Sequence, residues 1–119
     1  MSELSDDFPP GVLQAADSAL DRKAENVMAL DLRGVSSATD CFLLATGNSD
    51  IQVRAIAEHI IEVLAKEGLR PLHVEGVDRA RWVLLDFVEF VVHVFHPEAR
   101  EFYQLELLWG DAPSRVFSS

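Results

Sequence analysis

The stretch Arg81 to Pro97, R-W-V-L-L-D-F-V-E-F-V-V-H-V-F-H-P, limits the folds open to this chain more than any other. It is the most apolar segment in the sequence, and β-branched and aromatic residues dominate it, as in strands. Side chains of a strand alternate between its two faces, so a hairpin turning at Val88-Glu89 sorts the stretch into two sets. One set pairs Phe87 with Phe90, Leu85 with Val92 and Val83 with Val94, and is wholly apolar. The other pairs Asp86 with Val91, Leu84 with His93 and Trp82 with Phe95. Trp82, Asp86 and His93, which stand where a fully buried strand would carry aliphatics, thus share one face. Val88-Glu89 lacks the Gly or Asn of the usual two-residue turns, and a longer loop would shift this register.

The remaining elements surround that hairpin. Val12, Leu13, Ala16 and Leu20 recur at helical spacing. Two strands are expected at Asn26 to Leu32 and Asp40 to Thr46, the second apolar enough for a central position. Gly47-Asn48-Ser49-Asp50 supplies a turn and an N-cap. A helix follows to about Lys66, with Val53, Ile56, Ala57, Ile60 and Leu64 as its buried stripe. Leu69 to Glu75 reads as a short strand that Pro71 consigns to an edge. Pro97 opens a last helix ending at Gly110, which brings Ala99, Phe102, Tyr103, Leu105 and Leu108 over the sheet. The expected architecture is a single α/β domain: a mixed sheet of about five strands with helices mainly on one face and the other face able to stay open. A length of 119 residues suits one domain. Its expected limits are residues 12–110, after an acidic lead at 1–11 and before a polar tail at 111–119.

Charge narrows the partners. A formal net charge of -10 repels phosphate backbones, so direct nucleic-acid specificity is not expected. A basic protein surface is the more natural partner, although acidic charge also serves solubility alone. The single cysteine, Cys41, allows no internal disulfide and fits a reducing compartment. No apolar run approaches the roughly 18 residues of a membrane span. The N-terminus shows neither an Arg-rich transit signature nor an apolar signal core, so a cytoplasmic location is expected.

Assembled catalysis is not apparent. Gly47-Asn48-Ser49 resembles the Gly-Ser turn of nucleotidyltransferase-like folds, and helix N-termini attract phosphate. That chemistry also needs paired carboxylates on the next strand to hold divalent metal, and there the chain offers only His73 and Glu75. His93 and His96 lack further ligands at metal-binding spacing. Cys41 has no sequence-defined activating base and reads as a buried thiol. No catalytic residue, metal site or cofactor is therefore expected. The mixed face of the hairpin, by contrast, is composed like a protein-binding patch: Trp82, Leu84 and Phe95 apolar, Asp86 and His93 polar, with Glu75 and Asp40 extending it if their phase agrees. The alternative is that the tail, a helix or a second copy covers this face.

Two segments also carry a family resemblance. T-D-C-F-L-L-A-T-G-N-S-D-I-Q-V-R-A-I-A-E-H-I (Thr39 to Ile60) and V-E-G-V-D-R-A-R-W-V-L-L-D-F-V-E-F-V-V-H-V-F-H-P-E-A-R-E-F-Y-Q-L-E-L-L-W-G-D-A-P (Val74 to Pro113) resemble the ribosomal silencing factor family, also called Iojap. The resemblance spans about Val12 to Pro113. It implies a nucleotidyltransferase-like fold without the catalytic carboxylates, and a translation regulator rather than an enzyme. It also implies a homodimer when free, and a partner in the large ribosomal subunit, the basic large-subunit ribosomal protein fourteen, whose occupation blocks subunit joining when nutrients are short. On this reading Trp82, Leu84 and Phe95 form the apolar centre of the contact, with His93 on the same face, and Asp86, Glu75 and Asp40 meet Lys or Arg. A nucleotidyltransferase-type enzyme and a dimeric protein-binding scaffold are the competing expectations. The chain departs from the family pattern at Cys41, commonly Tyr, and at Phe87-Val88-Glu89, commonly Tyr-Gly-Asp.

Overall fold

The computed structural model describes residues 8–34, 37–99 and 112–118. Helix α1 (Val12–Asp21) leads into strands β1 (Glu25–Asp31) and β2 (Cys41–Thr46), then helix α2 (Asp50–Lys66). Strands β3 (His73–Glu75), β4 (Trp82–Asp86) and β5 (Phe90–Phe95) follow, and β6 (Ser114–Ser118) closes the chain. The six strands form one sheet in the order β3-β4-β5-β2-β1-β6. Strands β2 and β5 run parallel at its centre, and every other neighbouring pair is antiparallel.

One face of the sheet is the main core. Ala15, Ala16 and Ala19 of α1 and the expected stripe of α2, Val53, Ile56, Ala57, Ile60 and Leu64, are all buried against it. Burial of each large member of the α2 stripe contributes about 1.5–3 kcal/mol. The sheet supplies Val27, Ala29, Leu43, Ala45, Val83, Leu85, Val92 and Val94 to the same cluster. Gln52 joins the two helices, its side-chain amide donating to the carbonyls of Arg22 and Lys23 at 3.1 and 3.0 Å. Those carbonyls follow the last turn of α1, where backbone acceptors lack helical partners.

The hairpin register agrees with the two-residue turn. Trp82 lies opposite Phe95, Val83 opposite Val94, Leu84 opposite His93, Leu85 opposite Val92 and Asp86 opposite Val91. The Phe87 N–H donates to Phe90 O at 2.9 Å, and the Glu89 N–H to Phe87 O at 3.0 Å. The second bond closes a tight three-residue turn around Val88, whose φ is 78°. The side chain of Asp86 supports it by accepting the Val88 N–H at 2.8 Å.

Four expectations require correction. The sheet has six strands rather than five, because residues 114–118, expected in a polar tail, pair with β1. Asp31 N–H donating to Pro113 O at 2.8 Å starts that pairing. The third strand is only His73–Glu75, with Pro71 outside it, although Leu72 still donates its N–H to Asp86 O of β4 at 2.7 Å. The second face is not open at its centre: Leu30, Leu32, Leu44, Phe95 and Ala112 form a buried cluster there, with Ala99 packed against it. Ala99 and Ala112 thus both lie against this face. The backbone is helical at 97–99, while the rest of the expected last helix, including Phe102, Tyr103, Leu105 and Leu108, lies outside the described residues. In α1, Leu13 is exposed and Ala15 and Ala19 take the buried positions.

Candidate functional site

The candidate site is one accessible part of the second face, along β4 and β3; Val116 of β6, paired with Met28 on the same face, is exposed at the opposite edge. Strand parity places Trp82, Leu84 and Asp86 of β4 on that face, beside Phe95, His93 and Val91 of β5. On the other flank His73 pairs with Asp86 and Glu75 with Leu84. Toward the sheet centre Phe42 and Leu44 of β2 continue the same rows. Exposure divides the set. Trp82, Leu84 and Asp86 are half-buried, and Glu75 and His73 are exposed at the edge.

His93 and Phe95 are different. They are 4 % and 0 % exposed, so both belong to the packed centre of the sheet and have no surface to offer a partner. Phe95 backs the Trp82 ring, with centroids 5.2 Å apart. The indole Nε1–H of Trp82 donates to His93 Nδ1 at 3.0 Å. Burial pushes the His93 pKa down from 6.5 to about 4. The ring is therefore neutral near pH 7 with its proton on Nε2, as the acceptor role of Nδ1 requires. The Nε2 atom is buried and has no hydrogen-bond partner among the described residues.

Asp40 is exposed just before β2, its N–H donating to Glu89 O at 3.0 Å. It lies three strands over from Glu75 in the sheet order and four residues along β2 from Leu44, which shares the Glu75 row, a separation of roughly 19 Å at ordinary strand dimensions. Asp40, at the end of a central strand, and Glu75, on the β3 edge, are therefore well separated and form no cluster. Asp86 has a divided role, since one carboxylate oxygen holds the Val88 turn.

A structural residue absent from the sequence expectations is Gly76. With φ of 85° it lets the loop after β3 press onto β4, and a Cβ there would lie 2.1 Å from the Trp82 carbonyl oxygen. The signal was a Gly immediately after a short strand, six residues before the Trp. The Trp82–His93 bond was also legible: with Trp82 opposite Phe95, His93 is the diagonal neighbour two residues along, within reach of an indole.

The Gly47-Asn48-Ser49 turn is occupied by its own contacts. Ser49 Oγ accepts the Gln52 N–H at 3.0 Å, and Gln52 Oε1 accepts the Asn48 N–H at 2.7 Å. Asp50 Oδ1 accepts the Ile51 N–H at 2.9 Å, and Gly47 N–H donates to Phe95 O at 2.9 Å. The backbone donors of Gly47, Asn48, Ile51 and Gln52 are thus used internally, and Asp50 adds a negative charge. Cys41 is buried, and its pKa is raised to about 12, chiefly by that burial and further by the Asp31 carboxylate. Such a thiol is no nucleophile at neutral pH. Among the described residues, no group of three or more His, Cys, Asp or Glu side chains could hold a metal ion, and no helix is long and apolar enough to cross a membrane.

Comparison with known proteins gives concordant results. The family model described as "Ribosomal silencing factor during starvation" matches residues 5–119. Ribosomal silencing factor RsfS of Bacillus subtilis is 50 % identical over 99 residues, covering 83 % of this chain and 84 % of that protein. A crystal structure of a Chromobacterium violaceum protein superposes with a TM-score of 0.83 at 31 % identity, covering 92 % of this chain and 88 % of the other. One from Bacillus halodurans gives 0.78 at 42 % identity, covering 90 % and 98 %. The family model covers nearly the whole sequence, and the relatives agree with it in sequence and in fold. The chain belongs to the ribosomal silencing factor family.

Proposed function

We propose that this chain represses translation by binding the large ribosomal subunit and sterically preventing its union with the small subunit. The contact is made to a basic ribosomal protein, large-subunit ribosomal protein fourteen in the family reading. The observation that carries this proposal is the half-exposed β4 stripe of Trp82, Leu84 and Asp86, bordered by exposed Glu75, on a chain of net charge -10. An aromatic centre with an acidic border suits a basic protein partner. Asp40, exposed just before the central strand β2, meets the same basic surface. The mechanism needs no bond chemistry and no cofactor, and the internally bonded Gly47 to Gln52 turn supports a non-enzymatic reading. Calorimetry with nucleoside triphosphate and Mg²⁺ is expected to give no binding heat.

The direct test is a subunit-joining assay read by sedimentation, in which the protein holds added subunits apart. Joining that proceeds unimpeded would exclude the function. Loss of a central aromatic anchor typically costs 2 kcal/mol or more, roughly thirtyfold in affinity. Trp82→Ala is therefore expected to lose co-sedimentation with large subunits while remaining folded. Unchanged binding by that variant would move the contact elsewhere on the molecule. The free protein is expected to be a homodimer in the cytoplasm. If dimer and ribosome share the β4 face, added large subunits draw the dimer apart by mass action.

A further inference from the structure

The reading of Trp82 as the binding anchor leaves open what holds its ring in place. We infer that His93 is the positioning residue for Trp82: by accepting the indole N–H on Nδ1 it fixes the ring orientation in which the anchor meets its partner. This inference rests on the proposed binding role of Trp82 and adds to it a residue that never touches the partner.

Geometry supports it from three sides. His93 lies on β5, which is hydrogen-bonded on both flanks by β4 and β2, so its backbone is held by two ladders. Its ring is clamped between aromatics, edge-on to Phe42 with centroids 4.5 Å apart and stacked parallel to Phe95 at 5.9 Å and 9°. An acceptor held this firmly defines where the indole nitrogen must be. Turning the Trp82 ring over would remove its N–H from the 3.0 Å bond to Nδ1. A half-buried indole prefers to keep such a partner. Trp82 therefore meets its partner with its ring already ordered, which lowers the entropy cost of association. Burial keeps the imidazole neutral, so Nδ1 remains an acceptor at physiological pH.

The test combines one measurement on the unaltered protein with a set of variants. In nitrogen-15-labelled wild-type chain, the Trp82 indole N–H should show a through-bond nitrogen–nitrogen coupling to His93 Nδ1. Loss of the signal in Trp82→Phe separates it from that of Trp109, the other tryptophan. His93→Phe keeps an aromatic ring but removes the acceptor. It is expected to speed solvent exchange of the indole proton and to weaken binding to large subunits about fivefold to tenfold, the worth of one hydrogen bond. His93→Asn places an amide oxygen near the former Nδ1 and should restore most of that affinity. In a Trp82→Phe background, His93→Phe should cost nothing further.

No coupling in the wild-type protein would overturn the inference. So would wild-type affinity in folded His93→Phe, or a His93→Phe penalty that persists without the indole N–H, which would mark a packing role. Wild-type binding by Trp82→Ala would instead remove the anchor reading, and the inference with it, even with the nitrogen–nitrogen coupling intact.

Discussion

At the scale of single residues, two side chains are held where ordinary energetics disfavour them. Val88 is β-branched, yet it adopts a φ of 78° to close the hairpin. Such a backbone costs on the order of 1–3 kcal/mol, and the Asp86 side chain and the flanking Phe87–Phe90 pair hold it in place. Val88→Gly is expected to raise stability by about 1 kcal/mol, because glycine accepts this region without a Cβ clash but loses some chain entropy. Thermal unfolding checks it, with a midpoint at least as low as the wild type counting against strain at Val88. His93 is the second case. Its pKa is about 4 in the folded chain and near 6.5 when exposed, so the unfolded state binds the proton first as pH falls. Stability is therefore greatest above about pH 6.5 and falls by on the order of 3 kcal/mol as the pH drops to about 4, because the unfolded chain takes a proton that the buried ring does not. Asp31, whose carboxyl is held below its usual pKa by Arg33, adds its own loss only at lower pH. The pH profile of unfolding free energy in His93→Phe should therefore be flatter between pH 6.5 and 4 than in the wild type, and parallel profiles would contradict this.

At the scale of elements, the α2 helix was the most legible part of the chain. Its five-residue stripe, its start after Ser49 and its stop near Gly68 all follow from spacing and capping chemistry. Ser49→Ala removes the hydroxyl that accepts the Gln52 N–H and is expected to cost about 1 kcal/mol in denaturant unfolding. Binding to large subunits should stay unchanged, since this cap is no part of the β4 stripe; a large affinity loss would enlarge the proposed contact. The hairpin was legible for a similar reason, because parity dictates which residues share a face once the turn is known. Its turn was less secure, since Phe87-Val88-Glu89 lacks the residue types that announce one. Strand β6 was hidden altogether. Ser114, Arg115 and Ser118 dilute its apolar pattern, and its place depends on β1 offering an unpaired edge.

At the scale of the whole molecule, the accessible site is asymmetric. The sheet centre is buried on both faces, leaving the second face accessible toward its two edges, along β4 and β3 and at Val116 of β6. Net charge of -10 surrounds it with a negative field that speeds approach to a basic partner. Glu75 is exposed within this region. Glu75→Lys is expected to weaken large-subunit binding several-fold at low salt, with a smaller difference at high salt, where the Debye length shrinks to about 3 Å at 1 M. Sedimentation across a salt series measures this, and equal binding at low salt would remove Glu75 from the contact.

Local pattern alone determined that the chain is an α/β domain, that α2 buries one stripe, that Trp82, Leu84 and Asp86 share one face of their strand, and that His93 and Phe95 share one face of theirs. These follow from periodicity, which each segment carries within itself. Tertiary structure decided how the face these residues form is divided. Leu84 remains half-exposed while His93, opposite it on the next strand, is sealed, because β5 lies beside the sheet centre and β4 toward the edge. Strand order depends on which distant segments pair, and burial depends on what lies above a face. Neither is written in the alternation of one strand. The Arg81 to Pro97 hairpin thus carries its own division into faces, while its neighbours determine that Trp82 remains accessible and His93 becomes the buried acceptor behind it.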